Sequence, residues 1–342
     1  MTFKPSCPAP TGHLLVMNNI FRVGIIGAGH IAEKAAKTLA AMQDAECLAV
    51  GSRSLEKAQA FAAQFGIPRP YGSYDELLAD PDVDLVYIAL PHSLHFEWAR
   101  RAVLAGKPCL VEKSFMMNAG QAREILSLAR ERGVLVAEAI WTRYLPIFDT
   151  AREILGSGVI GRPVTLTSSL GYNVSAKERV QRPELGGGAL LDLGVYCLTF
   201  VRMFGGAAVA GVTTHCTTLP TGCDGSESIV LELENGILAT CDVTALAQGC
   251  NISVIAGETG YLVFNDTIHP TKITLMRKDH VVERVWEVPL EVTGFEYQFR
   301  ACRDAIRNGQ IELPQMPHSE IIYVMELMDR LRSIWGVKFP TD

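Results

Sequence analysis

Hydrophobic positions in the first half of the chain alternate between two periods. From Phe21 to Gly27 they run almost unbroken, as in a strand buried on both faces, and from Ile31 to Ala41 they recur in an Ala-rich helical pattern. Short apolar runs return at Glu46 to Val50, Leu85 to Leu90, Cys109 to Val111 and Val134 to Ala139, with helical spacing near 55 to 65, 92 to 105 and 118 to 132 between them. Such alternation implies right-handed crossovers and a parallel sheet covered on both faces. After Ala139 the pattern changes. A helix near Leu145 to Leu155 precedes half-buried strands at Pro163 to Leu170, Ser226 to Glu234 and Ile237 to Thr244, and Asn235-Gly236 predicts a two-residue hairpin turn with positive φ at both central positions. Further strands are expected near 250 to 256, 261 to 264, 272 to 278 and 281 to 288, and helices near 294 to 307 and 318 to 335. The second sheet is therefore at least partly antiparallel. These elements divide the chain into a tail (1–20, flexible or a misassigned start), a dinucleotide-binding domain (21–141) and a second domain (142–342).

Composition narrows the class. The 342 residues are 48% hydrophobic and 20% charged, an ordinary globular balance, and the net charge of -6 draws neither nucleic acid nor an acidic membrane surface. Nine cysteines without C-x-x-C spacing suggest free thiols in a reducing, cytoplasmic compartment. No signal peptide is expected, and no membrane span, because Asp192 interrupts the richest apolar run.

Gly27-Ala28-Gly29-His30-Ile31-Ala32 fits G-x-G-x-x-G/A after a strand and at the opening of a helix. Gly27 permits the tight turn, Gly29 lets a pyrophosphate approach the backbone, and His30 and Ile31 start the helix whose N–H groups favour an anion. The second strand ends at Gly51-Ser52-Arg53-Ser54, without the carboxylate that reads the ribose of NAD. Ser52 and Arg53 thus favour the 2'-phosphate of NADP over NAD, the alternative being an exposed Arg at a helix start where Glu56 closes a capping box. Leu90-Pro91-His92-Ser93-Leu94-His95 and Glu112-Lys113 follow the next strands at the ends where ligands bind. His92 and His95 lack a third ligand, so no metal is expected. Lys113 either reaches solvent or enters the cofactor cleft, where desolvation suits it to acid-base use. Asp192 and Tyr196 share a face of an otherwise apolar helix after Gly186-Gly187-Gly188, as a substrate pair or as a satisfied core Asp with a packed Tyr.

Together the Gly27 turn, Leu90-Pro91 with His95, Glu112-Lys113 and Asp192-Leu193-Gly194-Val195-Tyr196 resemble the Gfo/Idh/MocA oxidoreductases from about Phe21 to the end. Tyr71-Gly72-Ser73-Tyr74, Glu138 to Arg143 and Tyr196-Cys197 look most like the dihydrodiol dehydrogenase and NADP-dependent D-xylose dehydrogenase branch, where Tyr replaces the His of many members. The resemblance implies an α/β protein: an N-terminal Rossmann domain and a C-terminal α/β domain with a large open, mostly antiparallel sheet, often used for dimerisation. It implies Lys113 as proton donor and acceptor, Asp192 and Tyr196 as its partners, and hydride transfer between the nicotinamide and a carbinol carbon of a sugar, cyclic polyol or dihydrodiol. Trp141, Arg143, Tyr172, Asn173 and Arg182 are expected on the substrate side, by stacking and hydroxyl recognition. Reduction of a keto-sugar would use the same site in reverse, and a nucleotide-binding sensor would keep the cleft without turnover. The family's Glu-Lys-Pro is here Glu112-Lys113-Ser114, which removes a φ constraint and leads one to expect a shifted Lys113.

Overall fold

The computed structural model describes residues 20–342, so the expected tail lies, but for its last residue, outside the described residues. Strands β1 (Phe21–Ile26), β2 (Ala45–Gly51), β3 (Arg69–Tyr71), β4 (Leu85–Ile88), β5 (Cys109–Glu112) and β6 (Val136–Ala139) form one parallel sheet in the order β3-β2-β1-β4-β5-β6. In this order the winding reverses between β1 and β4, which opens a crevice at the strands' carboxyl ends. Helices α1 (His30–Ala41), α2 (Leu55–Phe65), α3 (Tyr74–Leu78), α4 (His92–Leu104) and α5 (Ala119–Arg132) connect the strands. Side chains of Ser54, Ser73 and Asn118 accept first-turn N–H groups at the starts of α2, α3 and α5, and Gly66 and Gly133 end α2 and α5 in the left-handed conformation. The short β3 and α3 are too brief to register as periods.

A 3-10 turn (Trp141–Tyr144) leads to α6 (Pro146–Gly156), β7 (Pro163–Gly171), α7 (Glu178–Gln181) and a π-helical turn (Leu190–Gly194) continuous with α8 (Val195–Gly205). Then follow β8 (Val209–Thr218), β9 (Asp224–Leu233), β10 (Leu238–Thr244), β11 (Ser253–Gly257), β12 (Tyr261–Phe264), β13 (Lys272–Met276), β14 (Val282–Glu287), α9 (Glu296–Arg307) and α10 (His318–Trp335). The second sheet runs β14-β13-β12-β11-β7-β10-β9-β8, antiparallel except where β7 and β10 pair in parallel. On its inner face Leu166, Leu231 and Phe264 are buried, and the Phe264 ring meets Phe200 and Phe204 of α8 at 5.2 and 5.8 Å. The opposite face carries Thr167, Ser228, Leu238 and Asp242 at exposed positions. The final helices return to the first sheet: Phe299 of α9 packs edge-on to Tyr87 at 5.6 Å, and Asp329 of α10 accepts the Ala119 N–H at 2.8 Å.

Three sequence expectations change. Strand β8 was not foreseen, because its Thr-rich edge alternates weakly. The β9–β10 hairpin has a three-residue turn in which only Gly236 takes positive φ (84°); Asn235 instead donates to Gly205 O at 2.8 Å. Pro183–Gly205 does have the length and hydropathy of a membrane span, yet 89% of its apolar window is buried inside the protein, which makes it the core helical segment of the second sheet.

Two buried carboxyls brace the crevice from behind. Asp224, fully buried, accepts the Leu190 N–H at 2.5 Å, taking up a donor at the start of the segment that carries Asp192. Gly188 has φ +108°, and a Cβ there would lie 2.2 Å from Asp224 Oδ1. Glu138 of β6 accepts the Phe115 N–H at 3.0 Å, and burial pushes its carboxyl up to about 8.

Gly188→Ala is expected to cost about 2 to 4 kcal/mol in urea denaturation, the strain of positive φ plus overpacking. The control Gly106→Ala, at φ +71° with open space around it, should cost only about 1 kcal/mol. The folded chain keeps the Glu138 proton from its ordinary 4.5 up to about 8, where the unfolded chain has released it. Stability therefore falls as pH rises through that window, by at most about 1.4 kcal/mol per unit. Glu138→Gln, which keeps the acceptor oxygen, should remove this slope, so that the variant gains on the parent between about pH 5 and pH 8 in the same assay.

Candidate active site

A cavity of about 590 Å³ opens at the carboxyl ends of β1, β4 and β5. The first sheet's side supplies His30, Ile31, Leu90, Pro91, His92, Glu112 and Lys113, all expected from the sequence, together with Ala89. Asp192 faces them from the second sheet's side, with Lys177, Arg179 and Leu185, which sequence reasoning missed.

The glycine turn fits a dinucleotide. Gly27 has φ +109°, and a Cβ there would sit 2.4 Å from Ala89 O, so only glycine passes between β1 and β4. At Gly29 nothing lies within 4 Å of where a Cβ would stand, and no side chain caps the α1 start, which leaves its first-turn N–H groups free to meet a pyrophosphate. Ser52, at 7% exposure, and the exposed Arg53 follow β2 outside the cavity lining. Ser54 caps α2 by accepting the Lys57 N–H at 3.4 Å, and Arg53 has no ion-pair partner among the described residues. These residues fit a dinucleotide, whose pyrophosphate would meet the uncapped N–H groups at the start of α1.

The two histidines differ. His92 lines the cavity with its ring nitrogens 3.0 Å from Gly186 O and 3.2 Å from Lys113 O, and burial pushes it down to about 3, so the neutral ring carries one N–H and donates to one of these two carbonyls. His95 stands behind the wall, fully buried between Leu90 O at 2.8 Å and Ser114 O at 3.0 Å, so it braces the loops after β4 and β5 instead of touching a cofactor. Among the described residues no group of three His, Cys, Asp or Glu side chains is placed to hold a metal.

Lys113 is the centre of the site. The Lys113-Ser114 peptide is cis, and Ser114 Oγ donates to Leu191 O at 2.8 Å, so the residue in the family's proline position ties the β5 loop to the second sheet's side. Lys113 Nζ donates to Asp192 O at 2.5 Å and Oδ1 at 3.1 Å, and lies 5.1 Å from the centre of the Tyr196 ring. Burial alone would raise the Asp192 carboxyl, but Lys113 and Arg179 hold it well below the usual carboxylate range. Beneath Lys113, Glu112 accepts the Tyr87 hydroxyl and, at 3.2 Å, the Lys113 N–H, while burial pushes its carboxyl up. Tyr196 is pushed well above its ordinary range by burial and by Glu112, so it remains a phenol. Its oxygen accepts the Trp141 Nε1–H at 3.2 Å, which leaves its own O–H free to donate.

The expected substrate residues are not brought together. Trp141, at 3% exposure, is covered by Lys34 Nζ at 4.3 Å and the His269 ring at 4.5 Å, so it cannot stack on a sugar and instead orients Tyr196. Arg143 turns away to Glu320 at 3.7 Å, a carboxylate it shares with Arg202. Tyr172, Asn173 and Arg182 do not line the cavity; Tyr172 N donates to Thr244 O, Asn173 accepts from Ser175, and Arg182 pairs with Glu178 and Glu184 on the surface. Arg179, three residues before Arg182, takes the place expected of it, with Nη1 2.5 Å from Asp192 Oδ2. Its only sequence signal was a pair of basic residues, Lys177 and Arg179, ahead of the glycine-rich segment.

A family model described as "Oxidoreductase family, NAD-binding Rossmann fold" matches residues 21–140, and the family's C-terminal domain model matches residues 148–263. Trans-1,2-dihydrobenzene-1,2-diol dehydrogenase of Xenopus tropicalis is 34% identical over 93% of this chain and 98% of its own length, and the Mus musculus enzyme of that name 32% over 94% and 98%. A 3-ketoreductase of Actinomadura kijaniata, solved in an open conformation with TDP-benzene and NADP, superposes with a TM-score of 0.81 at 30% identity, over 92% of this chain and 98% of that one. With its doubly wound first sheet, its open second sheet and Lys113 between them, the chain belongs to the GFO/IDH/MocA oxidoreductase family.

Proposed function

We propose that the protein uses NADP to oxidise a carbinol carbon of a sugar, cyclic polyol or dihydrodiol. The observation that carries this reading is the placement of Lys113 Nζ in the cofactor cleft, between the Asp192 carboxylate and the Tyr196 ring. Bound NADP supplies the hydride acceptor. The chain's own residues handle the proton and the geometry. Two N–H donors of Lys113 go to Asp192, leaving the third position on Nζ, an N–H in the ammonium and a lone pair in the neutral amine, for a substrate oxygen. In oxidation Lys113 acts as the neutral amine: its lone pair takes the hydroxyl proton and it becomes the ammonium, either directly or through the Tyr196 phenol, which gives its own proton to the amine as its oxygen takes the substrate's. Asp192 holds the ammonium in place, and Leu90, Pro91 and Ile31 give the cleft apolar walls that exclude water.

The same residues in reverse protonate the alkoxide formed when a ketone accepts hydride. Similarity to a 3-ketoreductase supports this second reading, reduction of a keto-sugar. A sensor without turnover would have no use for the Lys113–Asp192 pair. The NADP preference is supported by Ser52 and the unpaired Arg53. A homodimer is supported by the uncovered outer face of the second sheet, and a cytoplasmic location by the eight free cysteines among the described residues, Cys7 lying outside them.

NADP is expected to bind at least about tenfold more tightly than NAD, some 1.4 kcal/mol, and Arg53→Asp to narrow or reverse the preference. Titrations of both cofactors by fluorescence check this, and equal affinities in the parent would count against the Arg53 reading. Lys113→Met should lower kcat by roughly 10² to 10⁴ with NADP affinity within a few-fold. Tyr196→Phe should cost nearly as much if its hydroxyl donates the proton, and clearly less if it only orients the substrate. The assay is NADPH absorbance over a panel of pentoses, hexoses, inositols and diols, run also in reverse with keto-sugars; a parent that turns over none of them would overturn the catalytic reading.

A further inference from the structure

The Asp192 carboxylate is shared by two cations of different origin. Oδ1 faces Lys113 Nζ at 3.1 Å, from the end of β5, and Oδ2 faces Arg179 Nη1 at 2.5 Å, from α7 in the loop after β7. That loop is pinned. Val180 is fully buried, Gly188 N donates to Val180 O at 3.0 Å, Gln181 Nε2 donates to Ser175 O at 2.5 Å, and Gly186 O meets His92 across the cleft. Arg179 therefore reaches Asp192 from a fixed base, although 44% of its side chain remains exposed at the cleft mouth.

We propose that Arg179 is a positioning residue that shares Asp192 with Lys113 and thereby sets how firmly Lys113 keeps its proton. The proposal rests on the reading of Lys113 as the proton carrier. A lone carboxylate beside an ammonium favours the charged amine, and a carrier held too firmly in that state is a poor base. A guanidinium on the second oxygen offsets part of that pull, and its own charge opposes the ammonium directly. Both effects have the same sign. The other groups facing the pair do not replace it: His92 is neutral, burial pushes His95 down and Glu138 up to about 8, Tyr196 is a phenol, Glu112 beneath is engaged by Tyr87 and burial pushes it up, and Lys177 stands at the mouth without a carboxylate partner among the described residues.

The test follows Lys113 itself. Lysines are reductively methylated with ¹³C-formaldehyde, and the Lys113 signal, assigned with Lys113→Arg, is titrated by NMR in the NADP-loaded protein. The series is the parent, Arg179→Lys, Arg179→Met and Arg179→Glu. The expected midpoint stays near the parent's for Lys, rises by about one pH unit for Met, and rises further for Glu. In unmodified protein, the limb of the kcat/KM profile where alcohol oxidation switches on should move to higher pH in the same order. A role confined to structure would change stability without ordering the midpoints by charge. Coincident midpoints across the series overturn the proposal whatever the activity. Charge-ordered midpoints in a protein that oxidises and reduces nothing on the panel would sustain the role of Arg179 and overturn the proposed function instead.

Discussion

A buried carboxylate, that of Asp192, is the contact on which the rest of the site depends. It stands at 7% exposure in the seam between the two sheets, where a charge stripped of water costs several kcal/mol unless it is paired. Lys113 and Arg179 supply that pairing from opposite sides of the seam. Such a pair requires both backbones to be held, and the surroundings do this. Ser114 donates to Leu191 O on one side of Asp192, and Asp224 takes the Leu190 N–H just before it. The π-helical turn at Leu190–Gly194 then sets Asp192 and Tyr196 toward the same amine, as π-turns do where a helix must re-aim a side chain.

The cofactor side and the proton side are joined through α1. Its first turn offers free N–H groups above Gly29, and one turn further on Lys34 lies over Trp141, whose indole N–H fixes Tyr196. Burial pushes the Lys34 amine down, yet its charge is met by the faces of Trp141 and Phe295 and by Glu112 and Glu296. The same helix touches the second sheet's side again where Thr38 Oγ1 meets Thr293 Oγ1 at 2.6 Å. The helix that opens at the glycine turn is thus packed against the residues that orient the phenol. Similarity to trans-1,2-dihydrobenzene-1,2-diol dehydrogenases and to a 3-ketoreductase extends over both sheets, and of the residues at the cleft mouth Lys177 and Leu185 stand outside the Lys113–Asp192–Arg179 cluster.

The first sheet was legible because its strands are buried on both faces and its helices on one, so all but the brief β3 and α3 announce themselves by period. The glycine turn was legible for a stronger reason, since Gly27 and Gly29 answer local demands of backbone sterics. Lys113 could be placed because strand ends in this topology are where ligands sit, and Asp192 because Asp192-Leu193-Gly194-Val195-Tyr196 resembles the family's motif. Less was visible in the second sheet. Strand β8 is a Thr-rich edge, and the Asn235-Gly236 signal gave the hairpin but the wrong turn, since Asn235 is committed to Gly205 and only Gly236 needs the left-handed region.

The substrate-side residues failed for a common reason. Trp141 and Arg143 have side chains suited to sugars, but which groups cover an indole face or neutralise a guanidinium depends on elements more than a hundred residues away, here His269 and Glu320. Sequence by itself determined the parallel dinucleotide-binding sheet, the glycine cradle, the residues at the strand ends and the family, because these rest on period, on backbone sterics and on contiguous motifs. Only the tertiary structure decided that Arg179 rather than Arg182 meets Asp192, that His95 is a strut and His92 a wall, and that Trp141 serves Tyr196, because periodicity reports that a side chain is buried and never what lies across from it.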